Sequence, residues 1–437
     1  MKCRIQIQQK QATLDVKRLI LFRNCQLVEA HGRSGQTYYL VFHKKRYINT
    51  VKVNQLNPDS FIAKAIKLGL IVTSPHHAID TLVNQQTFSC IPLKKMLQSM
   101  SKKLDQLDQI IIITYFDQFI SQEKIINLFI ECFRQHRRDG QLQHAFQVLS
   151  TLKNYQPDNQ FAHDMLVSLT FQGYQVHERE MFAFNPLDLD TLESVYQSDS
   201  RILERSILAT VQLLKKFSNH YWQLFLSTLD PFPPSIRAAT LYEMYLQQPK
   251  LINHQPFSDQ LLMYVDSKRY LKILLEKDFS HQVNIKTFMS HLTQVEQNTH
   301  LTIFTKHQDQ FIKRIDSFPC EEKEVVTRMV VESALKYKPI EDILSWLDKF
   351  DTPFYFTKHL ELIKELKENP DSQAQLADIY QYFNHFAGAI DCLKWEIELH
   401  PNNETLYKKL ISLLKQNGQV EEAEAYQQQI IHQIKYS

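Results

Sequence analysis

Apolar residues recur along this chain at two different periods, and the change from one to the other divides it. In the first hundred residues they gather in short runs rich in β-branched and aromatic side chains, at 25–31, 36–42 and 47–53. Gly32-Arg33-Ser34-Gly35 and His43-Lys44-Lys45-Arg46 separate these runs, which predicts a three-stranded meander. Asn57-Pro58-Asp59-Ser60 then supplies a turn and a cap for a helical segment over 61–70, and residues 90–100 lead out of this part. From about residue 101 the apolar spacing becomes helical. Leu203, Ile207, Val211 and Leu214 trace one helix face, and Val326, Met329, Val330 and Leu335 trace another less regularly. Turn signals punctuate the helical part at Asp139-Gly140, Pro157-Asp158-Asn159, 231–234, Pro339, Pro370-Asp371, Pro401-Asn402-Asn403 and Asn417-Gly418. Short helices with short connections pair antiparallel, and many such pairs in series predict a solenoid.

Composition sharpens this picture. Seven glycines in 437 residues are too few for a glycine-dependent nucleotide-binding fold, and favour helices with short connections. The longest apolar run, 110–116, is too short to span a membrane, so no membrane partner is expected. The start, Met1-Lys2-Cys3-Arg4, lacks an apolar signal segment. Cys3, Cys25, Cys90, Cys132, Cys320 and Cys392 show no C-x-x-C spacing, which fits reduced thiols and predicts a cytoplasmic protein.

The near-neutral net charge of +2 hides a partition. Residues 1–100 carry fifteen Lys and Arg against four Asp and Glu, whereas 101–437 carry 35 against 44. The expected organisation is therefore a basic α+β domain over 1–100 and an acidic helical-repeat domain over 101–437. The fold class is mostly α, a helical-hairpin solenoid preceded by a small α/β or α+β domain.

The clearest internal period is near the C-terminus. Ala389, within Phe386-Ala387-Gly388-Ala389-Ile390, recurs 34 residues later as Ala423, within Val420-Glu421-Glu422-Ala423. In 370–403, Leu376, Ala377, Tyr380, Ala389, Leu393 and Pro401 fit a helix–turn–helix unit; in 404–437, Tyr407, Leu410, Leu414, Gly418 and Ala423 do so. Gly140, Ala145, Leu149 and Pro157 repeat the spacing in 126–159. This pattern resembles the tetratricopeptide repeat, whose unit is a helical hairpin of that length. Glu396 and Ile411 stand where that family prefers small residues, and 174–369 hold no clear unit. The resemblance implies a groove that binds a protein or peptide. In its register Arg134, Arg137 and Arg138 face that groove, as do Lys408 and Lys415, and three guanidiniums there suit an acidic peptide.

At the N-terminus, Val28-Glu29-Ala30-His31-Gly32-Arg33 followed by Leu56-Asn57-Pro58-Asp59-Ser60-Phe61-Ile62 is similar to the bacterial LytTR family of DNA-binding domains. This chain has Ala63-Lys64-Ala65-Ile66-Lys67 where that family carries His-Arg-Ser. Lys44, Lys45 and Arg46, with Arg33, Tyr38 and Tyr39 nearby, form a basic loop suited to phosphates. The function expected is non-enzymatic: an interaction protein with a peptide-binding repeat domain. The alternative is a transcription regulator whose basic N-terminal domain binds DNA and whose repeat domain senses a peptide or partner. There is no P-loop, G-x-G-x-x-G, G-x-S-x-G or H-E-x-x-H motif, and no cofactor is expected. His76-His77 and His177, Glu178, Glu180 lack the i, i+4 pairing of a helical zinc site and read as structural. Trp222, Trp346 and Trp395 read as core residues.

Overall fold

The computed structural model describes residues 1–7, 10–84, 87–100, 104–174, 189–276, 279, 281–367 and 369–436. They form two compact units, 1–264 and 265–437. The described residues are mostly helical, and among them the seven strands all lie within the first ninety residues.

The strands of the first unit are β1 (Lys2–Ile7), β2 (Lys10–Phe22), β3 (Cys25–His31), β4 (Thr37–His43), β5 (Arg46–Val53), β6 (Leu70–Thr73) and β7 (Thr87–Cys90). They build one sheet in the order β5-β4-β3-β2-β1-β7, with β6 also on β2. The expected meander is β3-β4-β5. β2 changes partner along its length: Lys10 to Asp15 pair with β1, and Arg18 to Leu21 pair with β6, across an irregularity between Val16 and Arg18. β1 and β7 are parallel; the other pairs are antiparallel. The two ends of the sheet, β5 and β7, are joined through side chains. The Tyr47 hydroxyl donates to Ser89 O at 2.6 Å, and Asn49 exchanges two bonds with the Ile91 backbone at 2.9 and 3.0 Å. The Cys90 thiol reaches Thr50 O at 3.1 Å. The sheet is thus a nearly closed barrel.

Both faces of this sheet are covered, which explains why Cys25 to Ala30 of β3 and Tyr38 to His43 of β4 are buried without alternation. One face carries Ile20, Phe22, Leu27, Tyr39 and Val41. It packs on α1 (Phe61–Leu68), α3 (Leu93–Met100), α4 (Gln106–Thr114), α5 (Gln122–Arg138) and α6 (Leu142–Tyr155) in one continuous core. The other carries Leu19, Leu21, Val28, Leu40 and Phe42, packed with α2 (His77–Val83), α8 (Leu189–Ser198) and α9 (Ile202–Lys215). α7 (Gln160–Leu166) lies between α6 and α8 in the chain, and α10 (Asn219–Leu229), α11 (Pro234–Gln247) and α12 (Gln255–Tyr264) complete the unit. The charge shift near residue 100 marks the end of the strands. The compact unit runs on to Tyr264 because these helices bury their apolar faces against the sheet and one another.

The second unit is helical throughout: α13 (Ser267–Leu274), α14 (Ile285–Gln294), α15 (Gln297–Lys306), α16 (Gln308–Ile315), α17 (Cys320–Ala334), α18 (Ile340–Leu347), α19 (Thr357–Leu366), α20 (Gln373–Tyr382), α21 (Phe386–Leu399), α22 (Glu404–Gln416) and α23 (Val420–Tyr436).

Four helix pairs share one turn. α5 and α6 meet at Gly140, α8 and α9 at Ser200, α20 and α21 at Asn384, and α22 and α23 at Gly418, each with positive φ. The residue after each donates back five positions: Gln141 to His136, Arg201 to Tyr196, His385 to Tyr380 and Gln419 to Leu414, at 2.8 to 2.9 Å. This Schellman turn satisfies the last carbonyls of the first helix and reverses the chain. Ala145, Ala389 and Ala423 follow their turns by five residues and are fully buried. Glu396 is explained as well. Its carboxylate, 8 % exposed, accepts a bond from Ala374 N at 3.3 Å, at the start of the preceding helix. Trp222 and Trp346 lie in the core, whereas Trp395 is 51 % exposed, contrary to expectation. It projects from α21 away from the buried stripe of Ala389, Leu393 and Ile397.

Leucine at position 389 or 423 adds about three heavy atoms to a closed contact and is expected to cost about 1–3 kcal/mol. Thermal melts of Ala389→Leu and Ala423→Leu check this; unchanged melting temperatures for both would place these alanines outside the helix contact.

Candidate binding clefts

α5 is amphipathic. Ile125, Phe129, Cys132 and Phe133 are buried, and Arg134, Arg137 and Arg138 emerge together one turn apart on the exposed side. With Glu131, Phe133, Phe161 and Met165 the three arginines line an open cleft of about 750 Å³. Its apolar floor is fixed by edge-on packing of Phe133 against Phe161, ring centroids 5.6 Å apart. Arg138 donates to Gln135 Oε1 at 2.9 Å. Arg134 and Arg137 have no ion-pair partner among the described residues. Exposed guanidiniums beside an apolar floor suit carboxylates attached to apolar chains. Across α5, Gln106, Gln109, Ile110, Ile113, Leu128, Glu131, Cys132, Gln135 and Arg138 line a second cleft of about 460 Å³.

The basic β4–β5 turn is more constrained than its sequence suggested. Lys44 and Lys45 both adopt positive φ, 49° and 70°, the conformation a tight hairpin demands and glycine usually supplies. The turn is pinned from inside. Lys45 N donates to Gln26 Oε1 at 3.1 Å, and Lys44 N donates to Asn24 O at 3.2 Å. The Lys44 ammonium lies 3.5 Å from Asp108 on α4, so one cation of this loop is already paired. His43, 3.6 Å from Asp108, and then Lys44 hold the Asp108 carboxyl below its usual range. Lys45 and Arg46 remain exposed. In the second unit Lys408 and Lys415 are exposed on α22, and Lys408 pairs with Glu404 at 2.8 Å.

His76 and His77 are 3 % and 2 % exposed and stack with ring centroids 4.4 Å apart. His76 Nδ1 accepts from Ala78 N and so caps α2, while Nε2 bonds Thr210 at 3.0 Å. His77 Nε2 is 2.5 Å from Ser206 Oγ and 3.4 Å from Thr228 Oγ1. Burial pushes His77 down to about 3, and burial together with the neighbouring ring pushes His76 well below the ordinary histidine value. His177, Glu178 and Glu180 lie outside the described residues. Among the described residues no cluster of three His, Cys, Asp or Glu is placed to hold a metal. Among them, too, no helix is long and apolar enough to cross a membrane.

A buried polar network has no signature in the sequence. Glu204 on α9, 1 % exposed, accepts from Gln26 Nε2 at 2.7 Å and from Arg201 at 3.1 Å. Arg201 also donates to Asn24 at 2.7 Å, so helix, sheet and hairpin turn are tied at one place. Gln26 and Glu204 are 178 residues apart in the chain, and only the packed sheet brings them together.

The sequence matches no known family model and no curated protein.

Proposed function

We propose that this protein is a non-enzymatic interaction protein whose α5–α7 cleft holds an acidic segment of a partner protein. The observation that carries this reading is the convergence of Arg134, Arg137 and Arg138 over the floor of Phe133, Phe161 and Met165. The helix pairs joined by left-handed turns, with buried alanines five residues on, support a likeness to tetratricopeptide repeats and to their use as peptide-binding scaffolds. The exposed Lys45 and Arg46 support a second reading, contact of the basic segment with nucleic acid, although pairing of Lys44 with Asp108 weakens it.

One experiment separates the two. Fluorescence anisotropy of the intact chain near physiological salt is measured with a labelled aspartate-rich peptide and with a labelled DNA duplex. The peptide is expected to bind, and Arg134→Glu with Arg137→Glu to weaken it at least roughly tenfold, since like charges then face each other across the contact. Duplex binding stronger than peptide binding, and lost on Lys45→Glu with Arg46→Glu, would reject the peptide reading in favour of the nucleic-acid one.

A further inference from the structure

The two clefts flanking α5 are contiguous: Glu131 and Arg138 line both. Their chemistry differs. The arginine cleft carries three guanidiniums and one carboxylate. The second has Ile110, Ile113 and Leu128 in its lining and a rim dominated by the carboxamides of Gln106, Gln109 and Gln135.

The hydrogen bonds already made decide what these carboxamides have left. Gln135 is the most engaged, its amide donating to Asp139 at 2.8 Å and its oxygen accepting from Arg138. Gln109 Nε2 donates to Leu104 O at 2.8 Å, which leaves its oxygen. Gln106 Oε1 lies 3.7 Å from the Cys132 thiol, which leaves its amide nitrogen. The unbonded oxygen of Gln109 and the unbonded amide of Gln106, beside Ile110, Ile113 and Leu128, suit one peptide group and the apolar side chain next to it.

Resting on the peptide reading above, we infer that the partner segment is an extended peptide that crosses α5 and reads two features at a fixed separation. A carboxylate side chain, Asp or Glu, enters the arginine cleft, and a large aliphatic side chain enters the second cleft, its peptide group bonded by Gln106 and Gln109. The separation follows from the helix between them. A helix with its side chains is about 10 Å across and an extended chain advances about 3.3 Å per residue, which sets the two features about three to four residues apart.

The test uses the full chain and a set of labelled synthetic peptides on one Ser/Gly background. Each carries a pair of aspartates. A single leucine is adjacent to the pair, about three to four residues from it, about twice as far, or replaced by serine. The spacing of about three to four residues is expected to bind roughly tenfold more tightly than the serine control, the factor a buried leucine side chain carries. Gln106→Glu and, separately, Leu128→Ala are expected to remove that increment while leaving the aspartate-dependent binding, and Arg134→Glu with Arg137→Glu to remove all binding. Aspartate-dependent binding that ignores the leucine, its spacing or both cleft variants would overturn this inference and spare the peptide reading. No binding of any aspartate peptide would overturn both.

Discussion

Moving the protein from about pH 7 to about pH 5 is expected to cost the first unit about 2 kcal/mol of stability through His77 alone. The folded unit holds His77 neutral, with its affinity for a proton lowered to about 3, whereas an unfolded chain binds that proton near 6.5. Above the unfolded value neither state is protonated and nothing is lost. Below it the unfolded state takes up the proton and the folded state does not, so stability falls progressively toward the folded value. His76 acts in the same direction, because burial, and then the His77 ring stacked on it, disfavours its charged form. The ring partners of the pair are the hydroxyls of Ser206, Thr210 and Thr228 and the Ala78 N–H, which carry no negative charge to offset a proton. Urea unfolding of a Trp346→Phe, Trp395→Phe chain, followed through Trp222, reports on the first unit. The double variant His76→Gln, His77→Gln should show a much shallower loss between the two pH values. Equal losses in both proteins would mean that other groups carry the acid sensitivity.

Arg201→Ala is expected to destabilise the same unit by about 3–5 kcal/mol, the cost of leaving a buried charge without its partner. Glu204 is almost fully buried and keeps only the Gln26 amide once Arg201 is gone. The loss belongs to the orphaned carboxylate rather than to the pair itself, so the double variant Arg201→Ala, Glu204→Leu should recover most of it. A double-mutant cycle on the urea midpoint measures this. If the double variant is as unstable as the single one, the network contributes through Asn24 and packing, not through charge.

The sequence makes the helical fold legible where local signals agree. Periodic apolar residues, the turn glycines at 140 and 418 and the alanines five positions on mark hairpins that are present. The pair α8–α9 was not legible because Ser200 occupies the left-handed position that glycine marks elsewhere, and Arg205 stands where the alanine would be. β2 was missed for a different reason. Its first four residues are exposed, alternation is confined to 13–17, and its last four residues are all buried, so no alternation runs the length of the strand. The arginine cluster was legible through the register of the repeat resemblance, but its apolar floor was not. Phe161 and Met165 come from another helix, and only tertiary packing places them opposite Phe133.

The junction between β5 and β7 gives the sheet a property that a fully laddered barrel lacks. Elsewhere around the sheet, adjacent strands are held by backbone ladders whose geometry is the same for any side chain. Here the circumference is completed by Tyr47, Asn49, Cys90 and the backbone groups they reach. Widening the sheet at this line would break side-chain bonds but no backbone ladder. Substitution can also alter its grip residue by residue, a freedom unavailable to the other strand pairs.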